Sequence, residues 1–455
     1  MIEKFLLNDI TLVNDGRVFM TDVLIANGMI EKIGSGLDEP GARLINGTGK
    51  LLLPGIIDGQ VHFREPGLTH KGDLYTESKA AVAGGVTSFI DMPNTVPNVL
   101  TPEILQEKYR LASEKSLANF GFFMGVNGDN IAEVSKMDTS KLLGVSDDGL
   151  YFTKKGNLLA DNPVTMELLF STCKSIIAIH SEKEQIIEEN ETVFRNKYKE
   201  DVPFSCHPLI RSERACYEST ERAIGLAVKH KARLHILHLT TEAETLLFRN
   251  DIPLSKKRIT SEVSVHHLWF SDKDYERLGA LIKWNPAIKT EKDRAGLMRA
   301  LLDDRIDIIT TDHAPHTMAE KQRTYFQSMS GAPMVQHSLH VMLEFFRQGI
   351  ISLEKIVEKM CHNPAILYRI DKRGFIREGY HADLAIVDLN STWIVKKENL
   401  LYKCGWSPLE GTTFHSKITH TFVNGNLVYE NGVFNETEKG HPLEKIHESV
   451  DEVVH

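Results

Sequence analysis

The stretch that decides the fold of this chain is residues 51–67, LLLPGIIDGQVHFREPG. Its apolar first half predicts a buried strand, and its polar second half predicts the loop that follows. Residues two apart on a strand point the same way, so Gln60, His62 and Arg64 leave one face together at the strand end. A neutral imidazole beside a guanidinium suits a site that holds a metal ion and binds an anion.

The composition indicates a globular protein with more than one domain, or with one barrel and an appendage. The 455 residues are 42% hydrophobic and 25% charged. The net charge of -9 argues against nucleic acid as a partner, so an anionic substrate would need a locally positive pocket. Five scattered cysteines without CxxC spacing predict free thiols and a cytoplasmic location. We expect neither a signal peptide nor a membrane span, because no apolar run of the required length occurs.

Strand and helix patterns alternate through the middle of the chain. Apolar runs typical of buried strands lie at 56–63, 86–92, 120–126, 142–146, 175–179, 234–239, 259–265 and 306–311. Amphipathic helical patterns between them include 74–83, 102–115, 164–173, 213–229 and 293–302. About eight such units over roughly 260 residues predict an α/β fold of the (β/α)8 TIM-barrel type. An open doubly wound sheet is the weaker alternative, because no glycine-rich phosphate loop follows the first strand.

The two ends of the chain show short alternating strands instead of strand–helix units. Asn27-Gly28 and Asn424-Gly425 are each a strong signal for a hairpin turn. Two β-rich ends that flank a barrel most simply pair with each other. We therefore predict a small composite β-sandwich from residues 1–54 and 372–445, with the barrel over residues 55–371.

Ionisable residues collect where the predicted barrel strands end, which is the face that carries the active site in barrel enzymes. Each of them alone is more often structural than a metal ligand. Three imidazoles and two carboxylates at one end of one barrel, however, match the ligand preference of zinc or a similar divalent metal. The predicted metal ligands are His62, Asp148, His180, His238 and Asp312.

The motifs at these strand ends resemble those of the dihydroorotase family in the amidohydrolase superfamily, nearly from one end of the chain to the other. The Asp-Asp-Gly at 147–149 is similar to the class I-like subgroup in which an aspartate bridges the metals. The other matches are the first-strand motif with Asp58, His62 and Arg64, the segments MPNT at 92–95, KWNP at 283–286, TDHAPH at 311–316 and CGWSP at 404–408, and the histidines His180 and His238.

The resemblance implies a metal-dependent enzyme that reversibly cyclises N-carbamoyl-L-aspartate to L-dihydroorotate in pyrimidine biosynthesis. It implies one or two Zn²⁺ ions, a metal-activated hydroxide, and Asp312 acting as general base and then as general acid. Arg64 would hold the free carboxylate of the substrate with paired charge-assisted bonds. The substrate contacts that the resemblance implies are Arg64, Asn94, Asn285 and His316.

One position departs from the family pattern, because Gln60 stands where the family has the first histidine of a His-x-His pair. A glutamine oxygen can bind a metal, but it is a poorer zinc donor than imidazole. Asp148 takes the position that a carboxylated lysine occupies in many relatives. The resemblance makes Asp148, His180 and His238 the ligands of the inner metal, which does not depend on Gln60.

Other functions stay open on the sequence alone. A hydantoinase-like or allantoinase-like cyclic amidohydrolase needs no clamp for a carboxylate, so Arg64 with Asn94 and His316 favours a carboxylated ring. A non-catalytic, dihydroorotase-like structural partner is supported by Gln60 alone. Residues 317–330 are either a lid over the substrate or a solvated loop. We expect a small-molecule substrate, no nucleic-acid or membrane partner, and a possible homodimer.

Overall fold

The computed structural model describes residues 3–138, 142–150 and 163–446 of the chain. The strands are β1 (Phe5–Asn14), β2 (Arg17–Ala26), β3 (Met29–Gly34), β4 (Arg43–Asn46), β5 (Leu51–Pro54), β6 (Ile56–Val61), β7 (Val86–Asp91), β8 (Asn119–Phe122), β9 (Met124–Gly125), β10 (Val145–Ser146), β11 (Ile176–Ile179), β12 (Arg233–Ile236), β13 (Ile259–Ser264), β14 (Ile308–Thr310), β15 (Leu384–Asp388), β16 (Trp393–Ile394), β17 (Thr413–Phe414), β18 (Lys417–Val423), β19 (Asn426–Glu430) and β20 (Val433–Phe434). The α-helices are α1 (Leu74–Ala83), α2 (Pro102–Lys115), α3 (Ile131–Val134), α4 (Pro163–Thr172), α5 (Glu184–Tyr198), α6 (His207–Ile210), α7 (Glu213–His230), α8 (Glu242–Thr245), α9 (Val265–Trp269), α10 (Tyr275–Leu278), α11 (Glu291–Leu302), α12 (Met318–Lys321), α13 (Ser338–Arg347), α14 (Leu353–Val357) and α15 (Asn363–Tyr368).

Parallel strands in the middle of the chain close into a (β/α)8 barrel, which confirms the predicted fold class. Strands β6 to β8 pair in sequence order, and so do β9 to β14. The barrel closes between its first and last strands, because Val61 bridges His313 in parallel and His62 N donates to His313 O at 2.8 Å. All barrel strands therefore point their carboxyl ends to one face.

The predicted strand at 120–126 is two short strands, because its pairing changes at Phe123. The backbone N–H of Phe123 donates to Asp91 O of β7 at 3.1 Å. The next one, of Met124, donates instead to Gly144 O, beside β10, at 3.2 Å. The strand thus changes partner from one neighbour in the barrel to the other.

Local capping explains why two helices begin where the sequence pattern predicts. Helix α1 starts after Asp73, whose side chain accepts from Thr76 N in a capping box. Helix α2 starts after Thr101, which accepts from Ile104 N and is followed by Pro102 at the first helical position. Both helices have the predicted bounds, 74–83 and 102–115, and these predictions are confirmed.

Strands from both ends of the chain form one sheet beside the barrel. Its order is β20-β19-β18-β15-β5-β1-β2-β3, with β4 beside β1. The two ends meet where β5 pairs antiparallel with β15. Asn27-Gly28 and Asn424-Gly425 form two-residue hairpin loops in which all four φ angles are positive, as type I′ turns require. The division of the chain into 1–54 with 372–445 and 55–371 stays a prediction.

Strand β5 is buried on both of its faces. Leu52 packs into a core of the sheet's own with Leu12 and Ile386, whereas Leu51 and Leu53 join the core of the barrel. This explains why 51–54 is an unbroken apolar run rather than an alternating one. Since β6 follows β5 after Gly55 alone, the sheet and the first barrel strand are one continuous stretch.

Candidate metal centre and substrate pocket

Two groups of buried side chains at the carboxyl end of the barrel could each hold a metal ion. One consists of Asp148, His180 and His238, and the other of His62, Asp148 and Asp312. Within each group the ligand atoms lie within 4.8 Å of one another. The structure thus brings together the five predicted ligands, and Asp148 belongs to both groups.

The group of His62, Asp148 and Asp312 is held by short contacts between the imidazole and the two carboxylates. Nε2 of His62 lies 3.1 Å from Oδ2 of Asp148 and 3.2 Å from Oδ1 of Asp312. Burial lowers the pKa of His62, but the hydrogen bonds to Asp148 and Asp312 outweigh it and raise that pKa to about 9. Burial raises the pKa of Asp312 to about 6, although His62 opposes the shift. The imidazole of His62 therefore lies between two carboxylates, which would attract a bound cation at the same place.

In the group of Asp148, His180 and His238, a carboxylate on the far side of the His180 ring fixes its orientation. Nδ1 of His180 lies 3.6 Å from Oδ1 of Asp148 and 3.1 Å from Nε2 of His238. On its other side, Nε2 of His180 donates to Glu182 Oε2 at 2.7 Å, and Arg211 also binds that oxygen. A carboxylate that receives the second N–H of a histidine orients it as a metal ligand. Glu182 was not predicted, since it lies in a loop without a periodic signal.

Gln60 lies beside the shared carboxylate. Its Nε2 donates to Oδ2 of Asp148 at 3.1 Å. Its Oε1 is buried and has no hydrogen-bond partner among the described residues. The two ends of an amide are assigned from such hydrogen bonds, so a turned amide would instead bring its oxygen to this side. Whether Gln60 binds a metal stays a prediction.

Three of the site residues have backbone conformations that residues other than glycine rarely adopt. The φ angles are 69° at Arg64, 35° at His238 and 43° at Asp312. Positive φ at residues other than glycine is uncommon and is concentrated at functional sites. Each of these residues follows a barrel strand, where the chain must turn sharply to direct the side chain over the barrel mouth.

The donor set fits divalent metal ions. Imidazole nitrogens and carboxylate oxygens are the ligands that zinc and similar metals prefer. Nδ1 of His238 is buried and has no hydrogen-bond partner within the described ranges. Burial and the neighbouring His180 hold the pKa of His238 well below its usual range, so this imidazole is neutral, as a metal ligand must be.

A cavity of about 420 Å³ opens above the two groups. The predicted substrate contacts all lie on its wall, and these are Arg64, Asn94, Asn285 and His316. Oδ1 of Asn285 is buried without a partner in the part of the chain that the structure describes, which leaves it free to accept a hydrogen bond. The roles of these residues stay predictions.

Asn94 connects the cavity to the metal groups. Its Oδ1 lies 2.8 Å from Nδ1 of His62, so its amide N–H groups are the donors that remain. Gly149, with φ of 71°, packs against this side chain, because an added Cβ would lie 2.1 Å from Nδ2 of Asn94. The glycine of the Asp-Asp-Gly motif thus makes room for Asn94.

The segment 317–330, which the sequence left open between a lid and a solvated loop, is anchored by two buried lysines. Nζ of Lys283 donates to Tyr325 O and Ser328 O at 2.7 and 2.6 Å. Nζ of Lys321 donates to Met329 O and Gly331 O, each at 2.8 Å. The segment therefore forms a packed wall of the cavity in this structure.

Lys71, Arg211 and Lys283 are cations on the cavity wall that were not predicted. They lie in loops or just after them, where hydrophobic periodicity gives no signal. For Lys71, the turn residues at 65–67 could have indicated that the loop after Arg64 folds back over the strand end.

Comparisons with known proteins agree with this architecture. A sequence profile described as the amidohydrolase family matches residues 51–428. The dihydroorotase of Methanosarcina acetivorans is 34% identical over 402 residues, which cover 86% of this chain and 84% of that protein. The dihydroorotase of Pyrococcus abyssi is 32% identical over 434 residues, which cover 94% of each chain. The solved L-hydantoinase (dihydropyrimidinase) from Arthrobacter aurescens is similar at a TM-score of 0.90 and 25% identity, and the match covers 98% of this chain and 100% of that one.

The barrel and its candidate ligand groups define a metal-dependent cyclic amidohydrolase, and the chain belongs to the amidohydrolase family. Within that family it belongs with the dihydroorotases, to which it is similar over most of its length. The prediction of an enzyme of this class is confirmed. In the described ranges, no helix combines the length and the apolar character that crossing a membrane would require.

Proposed function

We propose that the protein catalyses the reversible cyclisation of N-carbamoyl-L-aspartate to L-dihydroorotate. The observation that carries this proposal is the buried guanidinium of Arg64 beside the metal groups. Its Nε donates to Pro315 O at 3.1 Å, and its side chain lines the cavity. A buried cation of this kind suits an anionic substrate, and the substrate of this reaction keeps one carboxylate that does not react.

The same observation argues for a carboxylated ring over the rings of the hydantoinase-like relatives. A cyclic amide without a carboxylate would leave Arg64 buried next to a ligand that offers it no charge, which is unfavourable. Asn94 and Asn285 add a donor and an acceptor on the cavity wall, which suit the remaining polar atoms of the ring.

Proton transfer is assigned to Asp312. In ring opening this carboxylate takes a proton from the attacking water and returns it to the departing ring nitrogen. In ring closure it takes a proton from the ureido nitrogen that attacks the side-chain carboxylate, and it passes this proton to the carboxylate oxygen that leaves as water. The pKa of Asp312, which burial raises to about 6, suits a group that must both accept and release a proton near neutrality.

We assign zinc to the metal groups, with one or two ions per chain. Asp148, His180 and His238 would hold the inner ion, and His62, Asp148 and Asp312 would hold the outer one, with or without Gln60. A bound divalent metal lowers the pKa of water from about 15.7 towards about 7 and polarises a carbonyl oxygen. His180 is kept in one orientation by Glu182, which supports the inner group as the tighter of the two.

A cytoplasmic location and a homodimer are part of the proposal. The five cysteines form no disulfide, as expected in a reducing compartment. Two-fold dimers are the commonest assemblies among soluble homo-oligomers, which is the basis for the proposed oligomeric state.

The decisive test is metal analysis of the purified protein together with a cyclisation assay. We expect bound zinc, ring closure of N-carbamoyl-L-aspartate, loss of turnover after chelation and its return with added Zn²⁺. N-carbamoyl-β-alanine, which lacks the second carboxylate, is the matched control and should not be cyclised. A metal-loaded protein that closes the control compound but not carbamoyl-aspartate would refute the proposal.

A further inference from the structure

Lys71 lies in the same cavity as Arg64, on the loop that follows β6. Its Nζ lies 3.1 Å from Nδ1 of His316 and 3.0 Å from Oε1 of Glu320. Two turns put it there, because Leu68 N donates to Arg64 O and Lys71 N donates to Leu68 O, each at 3.0 Å. The side chain is only 7% exposed, so its ammonium ion needs a polar or charged partner inside the cavity.

Both ring nitrogens of His316 have polar neighbours within the protein. An ammonium ion can only donate, so Nδ1 of His316 accepts from Lys71. On the other side of the ring, Nε2 lies 3.0 Å from Ser330 O, to which it can donate, and 3.1 Å from Nη2 of Arg64, from which it can only accept. Burial and the two neighbouring cations hold the pKa of His316 well below its usual range, so the ring is neutral.

Both nitrogens of His316 are therefore engaged within the protein. The ring lies between Arg64 and Lys71 and orients the two cations. This positioning comes in addition to the direct substrate contact that the sequence predicts for His316, which stays a prediction. The ammonium of Lys71 adds a donor at this side of the cavity, since His316 and Glu320 account for two of its three hydrogens and one is left.

We propose that Lys71 binds the free carboxylate of the substrate together with Arg64, an inference that rests on the proposed function. Glu320 provides the carboxylate partner of Lys71 in the structure. It is also held independently, because its Oε2 accepts from N and Oγ1 of Thr317 at 2.9 and 3.0 Å. The substrate carboxylate replaces or joins Glu320 at Nζ, so the ammonium keeps a negative partner throughout.

The competing explanation is that Lys71 only fastens the segment 317–330 through Glu320. The two explanations differ in what Glu320→Gln does. If Lys71 is a fastener, loss of the Glu320 charge should weaken substrate binding as much as loss of the Lys71 charge. If Lys71 binds the substrate, Glu320→Gln removes a competitor and should leave the affinity unchanged or improve it. The glutamine keeps an oxygen that can accept the bonds from Thr317.

The experiment compares Lys71→Met, Lys71→Arg and Glu320→Gln with Lys79→Met as the matched control. Lys79 pairs with Glu436 at 2.7 Å and lies on helix α1, away from the lining of the cavity. Dissociation constants of L-dihydroorotate and of dihydrouracil, the same ring without the carboxylate, are measured by calorimetry, and KM and kcat by turnover. We expect Lys71→Met to weaken dihydroorotate binding on the order of tenfold or more, and dihydrouracil binding by less than about twofold.

Lys71→Arg should retain most of the affinity for dihydroorotate, and Lys79→Met should match the wild type. The inference would be overturned if Lys71→Met lost affinity equally for dihydroorotate and dihydrouracil. It would also be overturned if Glu320→Gln lost as much affinity for dihydroorotate as Lys71→Met does. If Lys71→Met does not fold, Lys71→Arg and Glu320→Gln still decide between the explanations. A wild-type protein without turnover of either substrate would count against the proposed function, whereas the binding constants would still test Lys71.

Discussion

At the residue scale, the centre depends on Asp148, because both candidate ligand groups use its carboxylate. Hydrogen bonds from His180 and His62 outweigh burial and hold the pKa of Asp148 well below its usual range. The negative charge that a metal needs is therefore present before any metal binds. The neighbouring Asp147 has a structural role. Oδ1 of Asp147 accepts from the backbone N–H of His180 at 3.1 Å and so fixes the chain directly after β11.

Asp312→Asn should abolish most turnover without unfolding the protein. The amide cannot accept and return a proton, and general acid–base groups contribute on the order of a thousandfold to rate. Measurements of kcat in both directions, with metal content and circular dichroism, check this expectation. Asp251→Asn, at an exposed aspartate, is the matched control and should behave as wild type. Near-normal turnover in Asp312→Asn would show that another group moves the proton.

Gln60→His should increase the affinity of the outer metal group on the order of tenfold or more. An imidazole is a better zinc donor than an amide, and the present amide donates to Asp148 Oδ2 instead of offering a lone pair. Metal titration with mass-spectrometric counting would measure the change. Gln348→His, at an exposed position, adds a histidine elsewhere and is the control. The same stoichiometry and affinity in wild type and Gln60→His would contradict the assignment.

At the element scale, the segment 317–330 owes its position to Lys283 and Lys321, whose ammonium groups donate to backbone carbonyls. Burial lowers the pKa of Lys283 to about 7 and that of Lys321 well below its usual range. An ammonium ion that donates to carbonyls fixes the path of a loop, but its charge is not balanced there. The segment is thereby ordered at a cost in stability that depends on pH.

This cost can be measured through Lys283→Met. The folded pKa of Lys283 lies below the unfolded value of 10.5, so the unfolded state binds more protons between pH 7 and 10.5. The contribution of Lys283 to the free energy of unfolding is therefore lowest at pH 7 and below, and it rises with pH between pH 7 and 10.5. We expect the stability of wild type relative to Lys283→Met to increase by about 2 kcal/mol from pH 7 to pH 9.

Urea unfolding at several pH values would provide this difference. Lys229→Met, which removes an exposed ammonium of α7, is the control for loss of charge. A difference between wild type and Lys283→Met that does not change with pH would mean that Lys283 keeps an ordinary pKa.

The elements of the barrel were predictable because each strand is a dense apolar run and several helices carry their own caps. The strand predicted at 142–146 is shorter, Val145–Ser146, since only these residues pair with both neighbouring strands. Residues that directly follow a strand, such as His180, could be found from this pattern alone. Lys71 and Glu182 could not, because their positions depend on turns whose geometry leaves no periodic trace in the sequence.

At the scale of the whole molecule, the sheet and the barrel are joined by a buried polar cluster around Asn119 of β8. Its Nδ2 donates to Asp383 Oδ2 at 3.1 Å, and its Oδ1 accepts from Asn424 Nδ2 at 2.8 Å and His441 N at 2.9 Å. Arg373 pairs with the same Asp383 carboxylate. One barrel residue thus satisfies groups from three places in the carboxyl-terminal part of the chain.

Asn119→Ala should lower the free energy of unfolding by about 3 kcal/mol. The substitution leaves the buried Nδ2 of Asn424 without its acceptor, which costs about 1–3 kcal/mol, and it removes one of the donors to the Asp383 carboxylate, which keeps Arg373. Thermal and urea unfolding measure the effect, and kcat below the transition should stay near wild type because Asn119 is remote from the cavity lining. Asn390→Ala, at an exposed loop position, is the control. Unchanged stability would mean that solvent or rearrangement replaces these bonds.

The run from β5 into β6 has a consequence for protein engineering. Strand β5, which pairs with strands from both ends of the chain, continues after one glycine into β6, and β6 ends directly before His62. A truncated barrel that begins at residue 55 would have a free amino terminus only seven residues before His62, its first predicted metal ligand. The sheet therefore cannot be discarded to make a minimal catalyst, and a circular permutant should open the chain at some other surface loop.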